Sequence, residues 1–107
     1  MAKKQRHSGL VKGVIEWLTL HKWFVYWNKA HTLHGGSYKG LSDLTAIKRQ
    51  YIPTTAPLRY YTRVIWIECK VGRDQLSPHQ EQFKKDIEEH GGEFLVVRDL
   101  DDLHGLE

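Results

Sequence analysis

The sequence has one cysteine and no long uninterrupted apolar run, and both features limit what the protein can be. Cys69 alone among 107 residues cannot form an intramolecular disulfide or a cysteine-based zinc site. The apolar segment behind the basic N-terminus is interrupted by Lys12, Glu16, His21 and Lys22, which excludes a membrane span there and argues against a signal peptide. We therefore expect a cytoplasmic protein in a reducing compartment, with no membrane partner.

The composition is that of one folded domain. A hydrophobic content of 40% and a charged content of 27% are typical of globular proteins and not of disordered ones. A chain of 107 residues can bury a core but is too short for two domains. We predict a single domain over residues 1–107, with residues 1–7 as a basic tail. The net charge of +3 is compatible with a polyanionic partner without proving one.

Hydrophobic periodicity predicts a helix followed by strands in the first half of the chain. Residues 8–21 form an amphipathic helical pattern, and residues 23–27 are a β-rich run that predicts the first strand. Residues 31–40 lack periodicity and predict a loop, and residues 44–47 predict a short strand. Residues 49–61 contain two prolines and predict a loop or a ragged hairpin tip.

The second half of the chain predicts a strand, a helix and a further strand. Residues 64–67 are consecutively apolar, as in a strand buried on both faces, and the strand ends in Glu68 and Lys70 on one face. Ser77 predicts an N-cap, with Gln80 completing a capping box, for a helix that runs to His90. Residues 94–97 predict another buried strand.

This order predicts the α/β class with a mixed sheet. Two neighbouring strands joined without helical periodicity are most simply antiparallel, whereas the helical crossover to residues 94–97 makes its two strands parallel. We expect a mixed sheet of about four strands flanked by helices, in the order αβββαβ.

Two carboxylates are expected to meet at one end of that sheet. Asp43 opens one strand and Glu68 ends its antiparallel neighbour, so both lie at the same sheet end. Two such groups repel unless a cation lies between them, and Mg²⁺ takes carboxylate, water and phosphate oxygens. Lys70 then stands close enough to orient a water molecule or to neutralise charge developing on phosphorus. An isolated acid and base at a strand end can also be a simple ion pair.

The motifs together resemble a nuclease family. Asp43 followed by Glu68, Cys69 and Lys70 resembles the PD-(D/E)xK nuclease signature. Three further motifs are similar to those of its virus-type replication-repair branch, the VRR-NUC domain: Gly40-x-x-Asp43, Leu76-Ser77-Pro78-x-Gln80 and Gly91-Gly92-x-Phe94-x-Val96-Val97. The resemblance covers almost the whole chain and is most specific from Glu68 to Val97.

The resemblance implies a restriction-endonuclease-like core and a metal-dependent endodeoxyribonuclease. It implies Asp43 and Glu68 as ligands of Mg²⁺ or Mn²⁺, with the backbone carbonyl of Cys69 as a possible third ligand. Lys70 would be the catalytic base or would orient the attacking water. Gln80 matches a family glutamine that supports catalysis, although a glutamine at this helical position also serves as a cap partner.

The chain departs from the family pattern at two positions. Ser42 stands where a proline usually precedes the aspartate. The acid usual in the first helix would align with His7, which projects towards the sheet, while Glu16 projects away from it. We therefore prefer His7 to Glu16 as the residue near the metal, with a solvated tail as the alternative. Imidazole suits Mn²⁺ better than Mg²⁺, so activity favoured by Mn²⁺ is a hypothesis.

Basic residues outside the site predict contact with DNA phosphates, which gives salt-sensitive binding without sequence reading. The candidates are Lys3, Lys4, Arg6, Lys39, Arg49, Arg59, Arg63 and Arg73. Solvated loop charge is the alternative. Tyr51, Tyr60 and Tyr61 lie in the same region and would stack on exposed bases or pack a dimer interface.

The function expected from the resemblance is cleavage of branched DNA by a homodimer. Stand-alone viral members resemble Holliday-junction resolvases, whose two symmetric cuts need two sites, and one chain of this length holds one site. A phage or bacterial origin fits this type, and no organic cofactor is implied. The alternatives are a non-catalytic nucleic-acid-binding module on the same fold and a monomeric nuclease acting on flaps or duplexes.

Overall fold

The computed structural model describes residues 6–28, 39–54 and 56–107. Lys3, Lys4 and most of the predicted loop over residues 31–40 lie outside the described residues. The described elements are α1 (His7–Leu20), β1 (Phe24–Trp27), β2 (Leu44–Ile52), β3 (Arg59–Cys69), α2 (Pro78–Glu89), β4 (Glu93–Val97) and a C-terminal 3-10 helix (Leu100–Leu106). No helix in these ranges is long and apolar enough to cross a membrane.

The four strands form one mixed sheet in the order β1-β2-β3-β4. β1 pairs antiparallel with β2, and β2 pairs antiparallel with β3. β4 lies parallel to β3, with α2 as the crossover between them. The predicted order of helices and strands, the strand directions and the α/β class are therefore confirmed.

The connection over residues 49–61 was predicted as a loop or a ragged hairpin tip, and most of it is instead paired strand. β2 continues to Ile52 and β3 begins at Arg59, so the two strands form a long hairpin with pairs such as Tyr51–Tyr60. Cross-strand aromatic pairs of this kind stabilise an antiparallel ladder. Pro53 and Pro57 lie at the tip, outside the paired residues, where no ladder N–H is needed.

The main core lies between α1 and one face of the sheet. Leu10, Val11, Val14 and Leu18 of α1 are fully buried, and they form one cluster with core residues of the sheet and of the 3-10 helix. The sheet and 3-10 members of this cluster include Leu44, Ala46, Ile65, Ile67, Val97, Leu103 and Leu106. The predicted apolar stripe of α1 is the face that packs, as the 3.6-residue period requires.

The opposite face of the sheet is covered in part by α2. Phe83 of α2 is buried and packs edge-on against Phe94 of β4, with ring centroids 6.1 Å apart. Ile65 and Ile67 of β3 point to the α1 side and are buried, whereas Val64 and Trp66 point to the α2 side and are only half-buried. The central strand was predicted to be buried on both faces, and its α2 side is less completely covered than that prediction required.

Candidate functional site

The base of the β2–β3 hairpin, away from its tip, brings two carboxylates together. Leu44 and Ile67 are the last residues of β2 and β3 that pair with each other at this end. Asp43 and Glu68 are the next residues beyond that pair and therefore face each other. The backbone N–H of Asp43 donates to Oε1 of Glu68 over 3.2 Å, and the N–H of Cys69 donates to Oδ2 of Asp43 over 2.8 Å. Each carboxylate is therefore held by the main chain of the opposite strand, as the predicted register implies.

Lys70 and Gln80 complete a polar cluster around Glu68. Oε2 of Glu68 accepts a hydrogen bond from Nε2 of Gln80 over 3.1 Å and lies 3.6 Å from Nζ of Lys70. Lys70 immediately follows β3, and Gln80 lies in the first turn of α2. The sequence-predicted residues Asp43, Glu68, Lys70 and Gln80 thus converge at one end of the sheet.

Gln80 serves the helix cap and the cluster at the same time. Its Oε1 accepts from the backbone N–H of Ser77 over 2.9 Å, and its own N–H donates to the Ser77 side chain, which makes a complete capping box. Its amide nitrogen remains available for Glu68. The two roles that the sequence left as alternatives are therefore compatible, because each uses a different end of one amide.

His7 lies against Asp43, as the helical projection predicted. Its Nε2 is 3.0 Å from Oδ2 of Asp43, and the imidazole is 46% exposed. Glu16 is exposed on the outer surface of α1. The first turn of α1 thus presents an imidazole to the cluster and contains no acid. The role of His7 as a metal ligand stays a prediction.

Burial raises the pKa of two groups in the cluster, the Glu68 carboxyl and the Cys69 thiol. Glu68 is only 3% exposed, and its burial, together with the charge of Asp43, raises the pKa of Glu68 to about 7, although Lys70 opposes the shift. Burial also raises the pKa of the Cys69 thiol to about 12, with a further contribution from the two carboxylates. The thiol is therefore neutral and packs as an apolar group, so Cys69 contributes to the cluster through its backbone.

The donor set of the cluster fits a hard divalent cation. Within the described residues no group of three or more His, Cys, Asp or Glu side chains is arranged to hold a metal ion. Mg²⁺, however, commonly takes only one or two carboxylates and completes its coordination with water and phosphate oxygens. Asp43 and Glu68 would be those two carboxylates. In an extended strand the N–H and C=O of one residue point the same way, so the Cys69 carbonyl faces the side of Asp43.

The predicted DNA-contacting residues are spread around the molecule. Arg6, Lys39, Arg49, Arg59 and Arg73 are exposed. Arg63 is instead held by Glu93, with its guanidinium nitrogens 2.8–3.3 Å from the carboxylate oxygens. The charge of Arg63 is therefore already paired with that of Glu93. The role of each of these residues in DNA binding stays a prediction.

Two features of the site were not anticipated from the sequence. A Cβ at Gly40 would lie 2.2 Å from the carbonyl oxygen of His79, so the chain entering β2 packs directly on the N-terminus of α2. Phe24 and Tyr26 are exposed on the sheet face that also carries Glu68. The alternation of aromatic residues along β1 was a visible signal for the second feature, whereas nothing local in the sequence indicates the partner of Gly40.

Comparisons with family models, with curated proteins and with solved structures find no match for this chain.

Proposed function

We propose that this chain is a metal-dependent endodeoxyribonuclease of the VRR-NUC type, on a restriction-endonuclease-like core. The observation that carries the proposal is the convergence of Asp43, Glu68, Lys70 and Gln80 at one sheet end, with contacts of 2.8–3.6 Å that link each of them to the cluster. The substrate is structured DNA, with Holliday junctions or other branched DNA as the favoured class.

The roles of the residues follow from their positions. Asp43 and Glu68 would hold Mg²⁺ or Mn²⁺, which supplies Lewis-acid polarisation of the scissile phosphodiester. Gln80 fixes the orientation of Glu68 by its hydrogen bond to Oε2. Lys70 carries an ammonium group beside the same oxygen, from which it would orient the attacking water and offset negative charge on the phosphate.

The activity is tested by incubating branched and linear DNA with the protein in Mg²⁺ or Mn²⁺. Glu68→Gln and Lys70→Ala should each slow cleavage by at least about a hundredfold, because each removes a group from the site of charge development. Glu89→Gln and Lys85→Ala are matched controls, since these two residues are exposed on α2 and pair with each other. Cleavage retained in both site variants would overturn the proposal.

A non-catalytic nucleic-acid-binding module is the second candidate. It is favoured by His7, whose imidazole contacts Asp43 from the helix in which the family usually has an acid. Binding of DNA without cleavage under either metal would favour this candidate. Cleavage by a protein that stays monomeric would instead favour a flap or duplex nuclease.

The metal preference gives a separate test of His7. If the imidazole approaches the metal, turnover should be faster in Mn²⁺ than in Mg²⁺, and His7→Ala should reduce that ratio. His21→Ala is the control, because His21 stacks on Trp17 at the other end of α1. Equal rates with the two metals, unchanged in His7→Ala, would remove this role.

A further inference from the structure

The sheet face that carries Glu68 extends far beyond the acidic cluster. Side chains alternate along a strand, so Tyr60 and Thr62 of β3 point to the same side as Glu68. Their partners Tyr51 and Arg49 of β2 share that side. Phe24 and Tyr26 continue it onto β1, because they pair with Ile47 and Thr45. We call Phe24, Tyr26, Arg49, Tyr51 and Tyr60 the aromatic face.

The rings of the aromatic face are exposed to a degree that is unusual for their size. The exposed fractions are 65% for Phe24, 44% for Tyr26, 45% for Tyr51 and 54% for Tyr60. Single exposed apolar residues are ordinary, but several large rings on one surface indicate a binding site. α2 covers the neighbouring part of this side, where Phe83 packs on Phe94, so the exposed rings lie beside it.

Cationic groups are interleaved with these rings. The guanidinium of Arg49 lies 4.3 Å from the ring centroid of Tyr60, and the rings of Tyr51 and Tyr60 meet edge-on at 6.0 Å. Lys22 also lines the open groove beside them, where Glu107 is the single lining carboxylate among the described residues. Rings and guanidinium planes stack on bases, and the surrounding cations attract phosphates.

The charge of this surface argues against a second copy of the chain as its occupant. Symmetric pairing of two such faces would bring the cations Lys22 and Arg49 of one copy against those of the other, and like charges that face each other are destabilising. Cations on a strand edge also oppose the addition of another strand. A nucleic acid strand presents the opposite charge. Bases of a duplex are already stacked on one another, so exposed rings favour unpaired bases.

We propose that the aromatic face binds an unpaired stretch of nucleotides by base stacking, so that among branched DNAs those with a single-stranded segment beside the cut are preferred to a fully paired junction. The preference among cleaved substrates rests on the nuclease function proposed above, whereas the stacking of bases on the aromatic face does not. Asp43 lies two residues before Thr45, the partner of Tyr26, so the face begins beside the acidic cluster.

The test measures binding without cleavage, in EDTA. A fluorescent oligothymidylate of about twelve nucleotides is titrated with the protein and followed by anisotropy. Tyr60→Ala should weaken binding by about five- to a hundredfold, and Tyr60→Phe should retain it, because the ring is what stacks. Tyr61→Ala is the matched control, since Tyr61 is 50% exposed on the opposite side of the same strand. Binding of a blunt duplex should be unchanged in all three variants.

Several results would overturn this inference. They are no binding of the oligothymidylate by the wild type, an equal loss in Tyr60→Ala and Tyr61→Ala, or an equal loss for the blunt duplex. Light scattering that shows a dimer dissociated by Tyr60→Ala, with single-strand binding intact, would assign the face to a second copy and also overturn it. The proposed nuclease fails separately: a wild type that binds through Tyr60 but cuts no DNA refutes cleavage and supports stacking.

Discussion

At the scale of single residues, Glu68 is an acid in surroundings that oppose its charge. Its pKa of about 7 lies above the ordinary 4.5, so the folded chain binds this proton more tightly than the unfolded chain. The stabilisation is fully present below about pH 4.5 and is lost as the pH rises through about 7. A divalent cation bound at the two carboxylates would oppose this shift, because its charge favours the ionised form of Glu68.

Replacing Glu68 by glutamine should remove this pH dependence. In EDTA, the free energy of unfolding of the wild type should fall relative to that of Glu68→Gln, by on the order of 2 kcal/mol between about pH 5 and about pH 8. Urea denaturation at the two pH values measures the difference. Glu89→Gln, at an exposed position of α2, is the control and should follow the wild type. Parallel pH profiles for wild type and Glu68→Gln would contradict the assignment.

At the scale of elements, the N-terminus of α2 joins the helix cap to the acidic cluster. Ser77→Ala removes the cap and should lower the free energy of unfolding by about 1 kcal/mol while leaving the bond between Gln80 and Glu68 in place. Gln80→Ala removes both interactions and should also slow cleavage. Thermal melting and single-turnover rates separate the two effects. Equal loss of cleavage in both variants would show that the cap alone matters.

Gly40 is the point where the chain entering β2 touches α2. It has φ of +84° and no space for a Cβ beside the His79 carbonyl, so Gly40→Ala should cost about 2 kcal/mol or more and displace the first turn of α2. Gly72 also has a positive φ, of +56°, but open space around its Cα. Gly72→Ala therefore reports the conformational cost alone, about 1 kcal/mol. Urea denaturation of both variants measures the difference, and equal losses would refute a close contact at Gly40.

At the scale of the whole molecule, the architecture could be predicted wherever the pattern is local. The period of α1, the capping box at Ser77 and the apolar run before Glu68 each signal their own structure, and together they imply the mixed sheet. The length of the hairpin could not be predicted, because Tyr51 and Tyr60 stabilise it only across strands. The two prolines mark the tip, and because of them the whole of residues 49–61 was predicted as a loop or a ragged hairpin tip.

The candidate site was predictable for a different reason. Asp43 and Glu68 lie at the same end of adjacent antiparallel strands, so topology alone brings them together. The double use of Gln80 could not be predicted, because it depends on how α2 is placed against β3. The aromatic face likewise depends on which part of the sheet α2 leaves exposed.

Assembly of two chains is a property that the proposed resolvase activity requires. Light scattering at the concentration used for cleavage should give twice the mass of one chain, because paired cuts need two sites. Glu68→Gln should leave the mass unchanged, since the cluster lies within one chain. A monomeric mass together with paired cuts at a junction would contradict this requirement, and a monomer that cuts flaps would favour the alternative substrate.

The length of β3 sets the distance between the acidic cluster and the far end of the aromatic face. Glu68 and Tyr60 are on the same side of it and eight residues apart, which at about 3.3 Å per residue separates them by about 26 Å. A strand within a sheet resists stretching. The distance between the place where bases would stack and the place where a phosphate would be cut is therefore constant. Cleavage should then fall at a constant offset from the end of the unpaired segment, whatever the nucleotide sequence between them.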